Sequence, residues 1–288
     1  MSSVKRIAVA GASGYVGYPI SKALLEAGVF DVLVLFRNSS MDSPRVQELG
    51  SRGAIIHGVD YSNQSQLTEI LRGTDVVIST VNYSSVNDQA PMMKACMTCG
   101  VKLFFPSEFA LELASDNDSK ASKTKKEIIS IAQSLGLPYI RIFNGLFPHW
   151  YITNTSFRFF QFYPSENKIV IYGTGEEKNS WTSMEDVARF IAYILQNMGI
   201  EQLVNRKLRI EGDKKSFNEF VGIWEKKHQV KLDVSYRSIS ELNDRVSRDP
   251  SDHEAAIARE MFSGRAAEGP TSNSLFPGWK PKSLEEAI

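Results

Sequence analysis

Gly11, Gly14 and Gly17 recur every third residue in Gly-Ala-Ser-Gly-Tyr-Val-Gly. They follow the apolar run Lys5 to Ala10, which reads as a strand, and open into Tyr18 to Ala27, which reads as a helix. In such a setting the first glycine permits a tight turn, the second lets the backbone approach a pyrophosphate, and the third lets the helix pack close to the strand. The helix N-terminus then presents N–H donors and the positive end of its dipole to the phosphates. The chemistry is capture of a diphosphate, and the strand–loop–helix setting reads as a dinucleotide site rather than a plain tight turn. Ser13, Tyr15 and Val16 stand between the glycines and join them as cofactor-binding candidates.

The next apolar run, Val29 to Phe36, ends on Arg37 and then Asn38-Ser39-Ser40. A free ribose 2′-hydroxyl is usually met at this strand end by Asp or Glu, whereas an arginine fork suits a 2′-phosphate. No acidic residue stands at this tip, so the expected cofactor is NADP(H); the bland alternative is a solvated arginine at a loop start. Arg45, just beyond, either adds a second positive charge near that phosphate or decorates the surface.

Further polar residues cluster where later strands should end. Asp60-Tyr61 either touches adenine or turns the chain. Thr80 and Asn82 follow the fourth strand, Ser107 and Glu108 the fifth, and Asn144 the sixth. Convergence of such residues is what a cofactor cleft in an open parallel sheet requires. Lys120, Lys123, Lys125 and Lys126 precede an apolar stripe of Ile128, Ala132 and Leu135. Extended backwards with helical spacing, the stripe passes through Lys125 and Ala121 and leaves Lys123 and Lys126 outside. An inward Lys125 can bond ribose hydroxyls, and partial desolvation lowers its pKa toward the range useful for proton transfer. The alternative is a lysine that only snorkels. Tyr18-Pro-Ile-Ser-Lys22 matches the Tyr-x-x-x-Lys pair of short-chain dehydrogenases but lies directly after the phosphate loop, out of reach of a nicotinamide, and reads as chance. Cys96 and Cys99 form a lone C-x-x-C near a helix end; no metal site is expected, and packed, reduced thiols are the default.

Apolar strands are expected at Arg6 to Ala10, Val32 to Phe36, Ala54 to His57, Asp75 to Val81, Val101 to Phe105 and Tyr139 to Phe143. Helices are expected at Tyr18 to Ala27, Val46 to Ser51, Gln64 to Leu71, Asp88 to Cys99 and Ser122 to Leu135. This alternation predicts an α/β fold: a Rossmann-type, doubly wound parallel sheet with ligands at the strands' carboxyl ends. Beyond Phe143 come many aromatics, among them Phe147, Trp150, Tyr151, Phe157, Phe159 and Phe160. Then follow a short strand at Ile169 to Tyr172, a helix capped by Ser183, and a strand of the main sheet at Lys207 to Glu211. From Phe217 the chain reads as helices with polar joints, and Gly264 to Pro281 as loop. The expected division is a nucleotide-binding part, residues 1–150 with 180–212 returning to it, and a smaller α+β part, residues 151–179 and 213–288, for substrate.

The 288 residues carry 33 basic and 33 acidic side chains, which gives no global field to draw nucleic acid. No run is long enough to cross a bilayer, and Met1-Ser2-Ser3-Val4 leads straight into a strand without a signal-like segment. A cytoplasmic protein, monomer or homodimer, is expected.

The glycine loop, Arg37, Phe105-Pro-Ser-Glu-Phe109 and Lys125 ahead of Gly136-Leu-Pro-Tyr139 together resemble the NmrA-like group of atypical short-chain dehydrogenases. Within it they resemble the isoflavone reductase-like enzymes, which include pinoresinol–lariciresinol and phenylcoumaran benzylic ether reductases. The resemblance covers Met1 to about Asn197. It implies an NADP-binding Rossmann domain, a smaller substrate domain and a catalytic lysine at Lys125, and it places Asn144 and Phe147 at the pocket. Phe109, Phe147, Trp150 and Tyr151 are the substrate-binding candidates, suited to a flat aromatic small molecule or equally to a core. Ala110 stands where the family usually has glycine, and Leu111 to Thr124 departs from the plant enzymes, so substrate identity does not transfer. The expected activity is NADPH-dependent hydride transfer to an aromatic or conjugated metabolite. The alternative is a regulator that binds dinucleotide without turnover. An epimerase is disfavoured by the missing tyrosine–lysine pair.

Overall fold

The computed structural model describes residues 4–40, 42–81, 86–114, 117, 119–153, 161–267 and 269–288. Its first half alternates β1 (Arg6–Ala10), α1 (Gly17–Glu26), β2 (Asp31–Arg37), α2 (Pro44–Ser51), β3 (Ile55–Val59), α3 (Gln64–Ile70), β4 (Val76–Ser79), α4 (Val86–Cys99), β5 (Leu103–Phe105), α5 (Lys120–Leu135) and β6 (Ile140–Phe143). The first five strands form one parallel sheet in the order β3-β2-β1-β4-β5. Strand order reverses between β1 and β4, and that reversal opens a crevice above their carboxyl ends.

The near-continuous apolar character of the strands follows from burial on both faces. Along β1, Ile7 and Val9 pack into one cluster with Leu24 of α1 and Val46 of α2. Ala8 and Ala10 point the other way, into a cluster with Leu67 of α3 and Ile128 and Ala132 of α5. Ser119 caps α5 by accepting from Ser122 N, and Gly136 ends it in the left-handed region at φ 66°. The strand expected at Asp75 to Val81 is observed as the shorter Val76–Ser79, and just before it the Asp75 carboxylate accepts from the backbone N–H groups of Lys5 and Arg6.

The chain continues through α6 (Pro148–Thr153), β7 (Phe162–Tyr163), β8 (Lys168–Tyr172), β9 (Lys178–Trp181), α7 (Met184–Asn197), β10 (Arg206–Arg209), β11 (Asp213–Ser216), α8 (Phe217–His228), β12 (Asp233–Arg237), α9 (Ile239–Arg248), α10 (His253–Ser263) and α11 (Leu284–Ala287). β10 pairs in parallel with β6, and β6 approaches β5 through a bridge between Tyr139 and Phe104. Helix α7 starts as expected, with Ser183 accepting from Asp186 N, and its Val187, Phe190 and Ile191 complete the α1 side of the sheet. A third cluster gathers Trp181, Phe217, Phe220, Trp224 and Phe262, with the Trp181 and Phe220 rings stacked at 5.8 Å.

The later chain corrects the expectation of helices with polar joints after Phe217. β12 lies there and pairs in parallel with β8, which also pairs with β7. Four of its five residues are exposed and Val234 is half-buried, so it carries no apolar run to announce it. β9 and β11, an antiparallel pair, were also not expected; Lys178 to Trp181 and Asp213 to Ser216 are mostly polar and are held by main-chain bonds. Among the described residues no helix is long and apolar enough to cross a membrane.

Gly145 joins β6 to α6 at φ 72°, and a Cβ there would sit 2.2 Å from the Ser180 carbonyl oxygen. Both conformation and space demand glycine. Gly145→Ala is expected to lower the unfolding free energy by about 2–4 kcal/mol, read by chemical denaturation.

Candidate functional site

The glycine loop winds directly into α1. Gly11 has φ 77°. Gly14 N donates to Gly11 O at 2.9 Å, and Tyr18 N to Gly14 O at 3.1 Å. A Cβ on Gly17 would lie 2.5 Å from both Gly11 O and Thr80 Oγ1, and one on Gly14 would lie 3.0 Å from Gly11 O. Thr80 is fixed in turn, since its N and Oγ1 both donate to Ala10 O, at 2.9 and 2.7 Å. The start of α1 is therefore pressed onto the crevice between β1 and β4. No side chain caps that helix end, and its first turn holds no acidic residue. Leading N–H groups without a side-chain cap, at the positive end of the dipole, form an anion seat.

Of Asp60 and Tyr61, the loop is met by Tyr61. Its buried hydroxyl accepts from Gly11 N at 2.8 Å and donates to Leu35 O at 2.8 Å. Burial pushes the Tyr61 phenol above its ordinary range. The Asp60 carboxylate turns away and accepts from Ser62 Oγ and Ser62 N at 2.7 and 2.9 Å, which holds it below the usual carboxylate range.

Arg37 lines the cavity at the end of β2. Its Nη2 donates to Asp88 Oδ2 at 2.8 Å. No acid stands at the tip of β2, but α4 brings one from across the crevice, so the expectation of an arginine without an acidic competitor is corrected. Arg45 donates to Ser13 O at 3.0 Å and lies 5.1 Å over the Tyr18 ring, tying α2 to the glycine loop. The Tyr18 hydroxyl donates to Glu48, which directs it toward α2 and away from the crevice.

Lys125 lies on the inner face of α5 with 15% of its side chain exposed, while Lys123 and Lys126 face outward. Its Nζ donates to Glu108 O at 3.1 Å and stands 3.5 Å from Glu108 Oε2. Arg141 Nε donates to Glu108 Oε1 at 3.2 Å, so one buried carboxylate serves two cations. Burial lowers the Lys125 pKa, Glu108 raises it and Arg141 lowers it, and the net is below the ordinary lysine value. An aromatic wall faces this lysine side of the crevice. Tyr15 packs on Trp150 with ring centres 4.5 Å apart and meets Phe147 edge-on at 6.1 Å. Desolvation, with a smaller contribution from Glu185, raises the Tyr15 phenol.

These parts enclose one cavity of about 440 Å³, within the usual size range for small-ligand sites. It brings together Gly11, Ser13, Gly14, Tyr15, Val16, Arg37, Thr80, Ser107, Phe109, Lys125, Phe147 and Trp150. Gly17, Asp60, Glu108 and Asn144 are not on its wall. Gly17 packs beneath the loop, and Glu108 stands behind Lys125. Asn144 is fully buried, with its Nδ2 donating to Gly145 O at 3.2 Å. Asn82, Tyr83, Phe157, Phe159, Phe160 and the side chain of Tyr151 lie outside the described residues. Residues that the sequence reading did not place at the site include Phe36, Ala110, Leu111, Leu113 and Ile257. Ala110 adjoins assigned residues at a strand end, a signal that was legible. Ile257 comes from α10, where no local pattern marks it. Cys96 is buried and Cys99 half-buried; both are unpaired thiols, raised in pKa by burial. No group of three or more His, Cys, Asp or Glu able to hold a metal occurs among the described residues.

Fold and crevice define an α/β protein of the Rossmann type. The profile of the NmrA-like family matches residues 3–270, and the chain belongs to that family. It is 29% identical over 243 residues to a phenylcoumaran benzylic ether reductase from Ginkgo biloba, covering 80% of this chain and 78% of that protein. It is 29% identical over 271 residues to one from Pinus taeda, covering 90% and 86%. Leucoanthocyanidin reductase from Vitis vinifera, solved as a binary complex with NADPH, shares the fold with a TM-score of 0.83 at 22% identity over 98% of this chain and 97% of that one.

Tyr61→Phe removes a hydroxyl that bridges β2 and the glycine loop. It is expected to cost about 0.5–1.5 kcal/mol in denaturant unfolding, because Gly11 N and Leu35 O each lose one hydrogen bond while the direct bond between them at 3.1 Å remains.

Proposed function

We propose that this chain is an NADPH-dependent reductase acting on a small aromatic or conjugated metabolite, with Lys125 as the catalytic residue. One observation carries the reading: a phosphate-type glycine loop and a largely buried lysine of lowered pKa share a single cavity walled by aromatics. The uncapped start of α1 and the absence of room for a Cβ at Gly17 fit a dinucleotide diphosphate. The reductase names of the Ginkgo and Pinus relatives, and the NADPH bound in the Vitis structure, support the same assignment.

The nicotinamide, when bound, supplies the hydride. The chain's own residues do the rest. The loop from Gly11 to Gly17 seats the diphosphate, with Ser13, Tyr15 and Val16 forming its wall. Arg37 takes the 2′-phosphate. Lys125 bonds a ribose hydroxyl and donates a proton where negative charge develops on the substrate. Glu108 and Arg141 hold Lys125 in place from behind. Phe109, Phe147 and Trp150 exclude water and accept a flat ring by stacking or edge contact. Residues 1–150 with 180–212 hold the cofactor in this reading. Residues 151–179 and 213–288 complete the substrate side, to which Ile257 belongs.

A dinucleotide-sensing regulator needs the glycine loop but no lysine in the cleft. Lys125 on the cavity wall therefore favours catalysis.

Lys125→Ala is expected to reduce kcat by about 10²–10⁴-fold. NADPH should still bind, measured by fluorescence titration beside turnover on an aromatic substrate panel. Wild-type turnover in the variant would refute the role. The pH profile has a definite sign. A proton on Lys125 is lost below the usual lysine range, so kcat should fall as pH rises through that lowered value. The Glu108 charge helps hold the proton, so Glu108→Gln should move the alkaline limb to lower pH. An unmoved limb would separate Lys125 from the proton step.

A further inference from the structure

Arg37 and Asp88 meet across the crevice. In the sheet order, β2 and β4 flank β1 on opposite sides. Arg37 is the last residue of β2, and Asp88 lies in the first turn of α4, the helix that follows β4. The ion pair therefore spans the end of β1, where the glycine loop begins at Gly11. It is accessible, with 57% of the Arg37 side chain and 22% of the Asp88 side chain exposed. Pairs this exposed are worth about 0–1 kcal/mol, so an incoming ligand can exchange partners within it.

The two side chains favour opposite ligands at this position. A guanidinium binds a 2′-phosphate, and a carboxylate accepts from a free 2′-hydroxyl. With the pair formed at 2.8 Å, the charges of Arg37 and Asp88 cancel. A phosphate carrying about −1.5 to −2 charges then meets a neutral pair in place of a cation.

We propose that Asp88 is the residue that sets cofactor selectivity. Its carboxylate competes with the 2′-phosphate for Arg37, and in an unphosphorylated dinucleotide it accepts from the ribose hydroxyl in the phosphate's absence. The inference rests on the dinucleotide reading given above and extends it. In this proposal NADPH remains the preferred cofactor, and Asp88 narrows its advantage over NADH. Asp88 acts on NADPH through Arg37 and is a positioning residue for that cofactor.

The test is binding at low ionic strength, with no substrate present. Dissociation constants for NADPH and NADH are measured by fluorescence titration for the wild-type chain and for Asp88→Asn. The variant should bind NADPH more tightly and NADH no better, so that the selectivity ratio rises about tenfold, and the gain should shrink as salt is added. Asp88→Ser, which keeps a residue suited to a helix start, should shift the ratio in the same direction. An unchanged or smaller ratio in both variants, with NADPH still bound by the wild type, would overturn the competition and leave the reductase assignment standing. A wild-type chain that bound neither dinucleotide would overturn both.

Discussion

The constraint on which the crevice depends is the approach of α1 to the ends of β1 and β4. A Cβ at Gly17 would come within 2.5 Å of Gly11 O and of Thr80 Oγ1, and neither atom is free to retreat. Gly11 sits at φ 77° with its N–H bonded to Tyr61. Thr80 is locked to Ala10 O through both its backbone N–H and its hydroxyl. Because the helix can come this near, its uncapped N-terminus opens into the crevice, and Tyr15 is carried against Trp150. The anion seat and the aromatic wall thus follow from one absent side chain. A bulkier residue would force out the helix end, and the phosphate seat with it.

The lysine side depends on a different balance. Placing an ammonium in a largely dry site costs free energy, and so does burying a carboxylate. Here the attraction between opposite charges offsets part of both costs: Glu108, 2% exposed, faces Lys125 on one side and Arg141 on the other. Burial chiefly lowers the Lys125 pKa and Arg141 adds to that, against the opposing pull of Glu108. The same arrangement keeps Glu108 off the cavity wall, behind Lys125.

How much of this was legible depends on the range of each interaction. The parallel sheet was readable because strands buried on both faces are continuously apolar, as at Val76 to Ser79 and Val32 to Phe36. Lys125 was readable because helical spacing alone places it in register with Ile128 and Ala132, both buried. The pairing of Arg37 with Asp88 was not, because 51 residues separate them and only the strand order brings them together. The Glu108–Arg141 contact spans 33 residues, and Ile257 reaches the cavity from a distant helix. β12 escaped because exposed strands held by main-chain bonds carry no apolar pattern. Asp60 and Tyr61 show the finest limit: the Asp60–Ser62 turn is a local motif, but the inward turn of Tyr61 is fixed by its bonds to Gly11 N and Leu35 O, 50 and 26 residues away.

The account thus rests on a crevice with an anion seat at the glycine loop, the Arg37–Asp88 pair at one end and a shielded lysine at the other. Isothermal calorimetry of NADPH titrated into the purified chain tests it most directly. The account predicts a saturable heat with one site per chain. A flat titration at cofactor concentrations far above the micromolar range would contradict it.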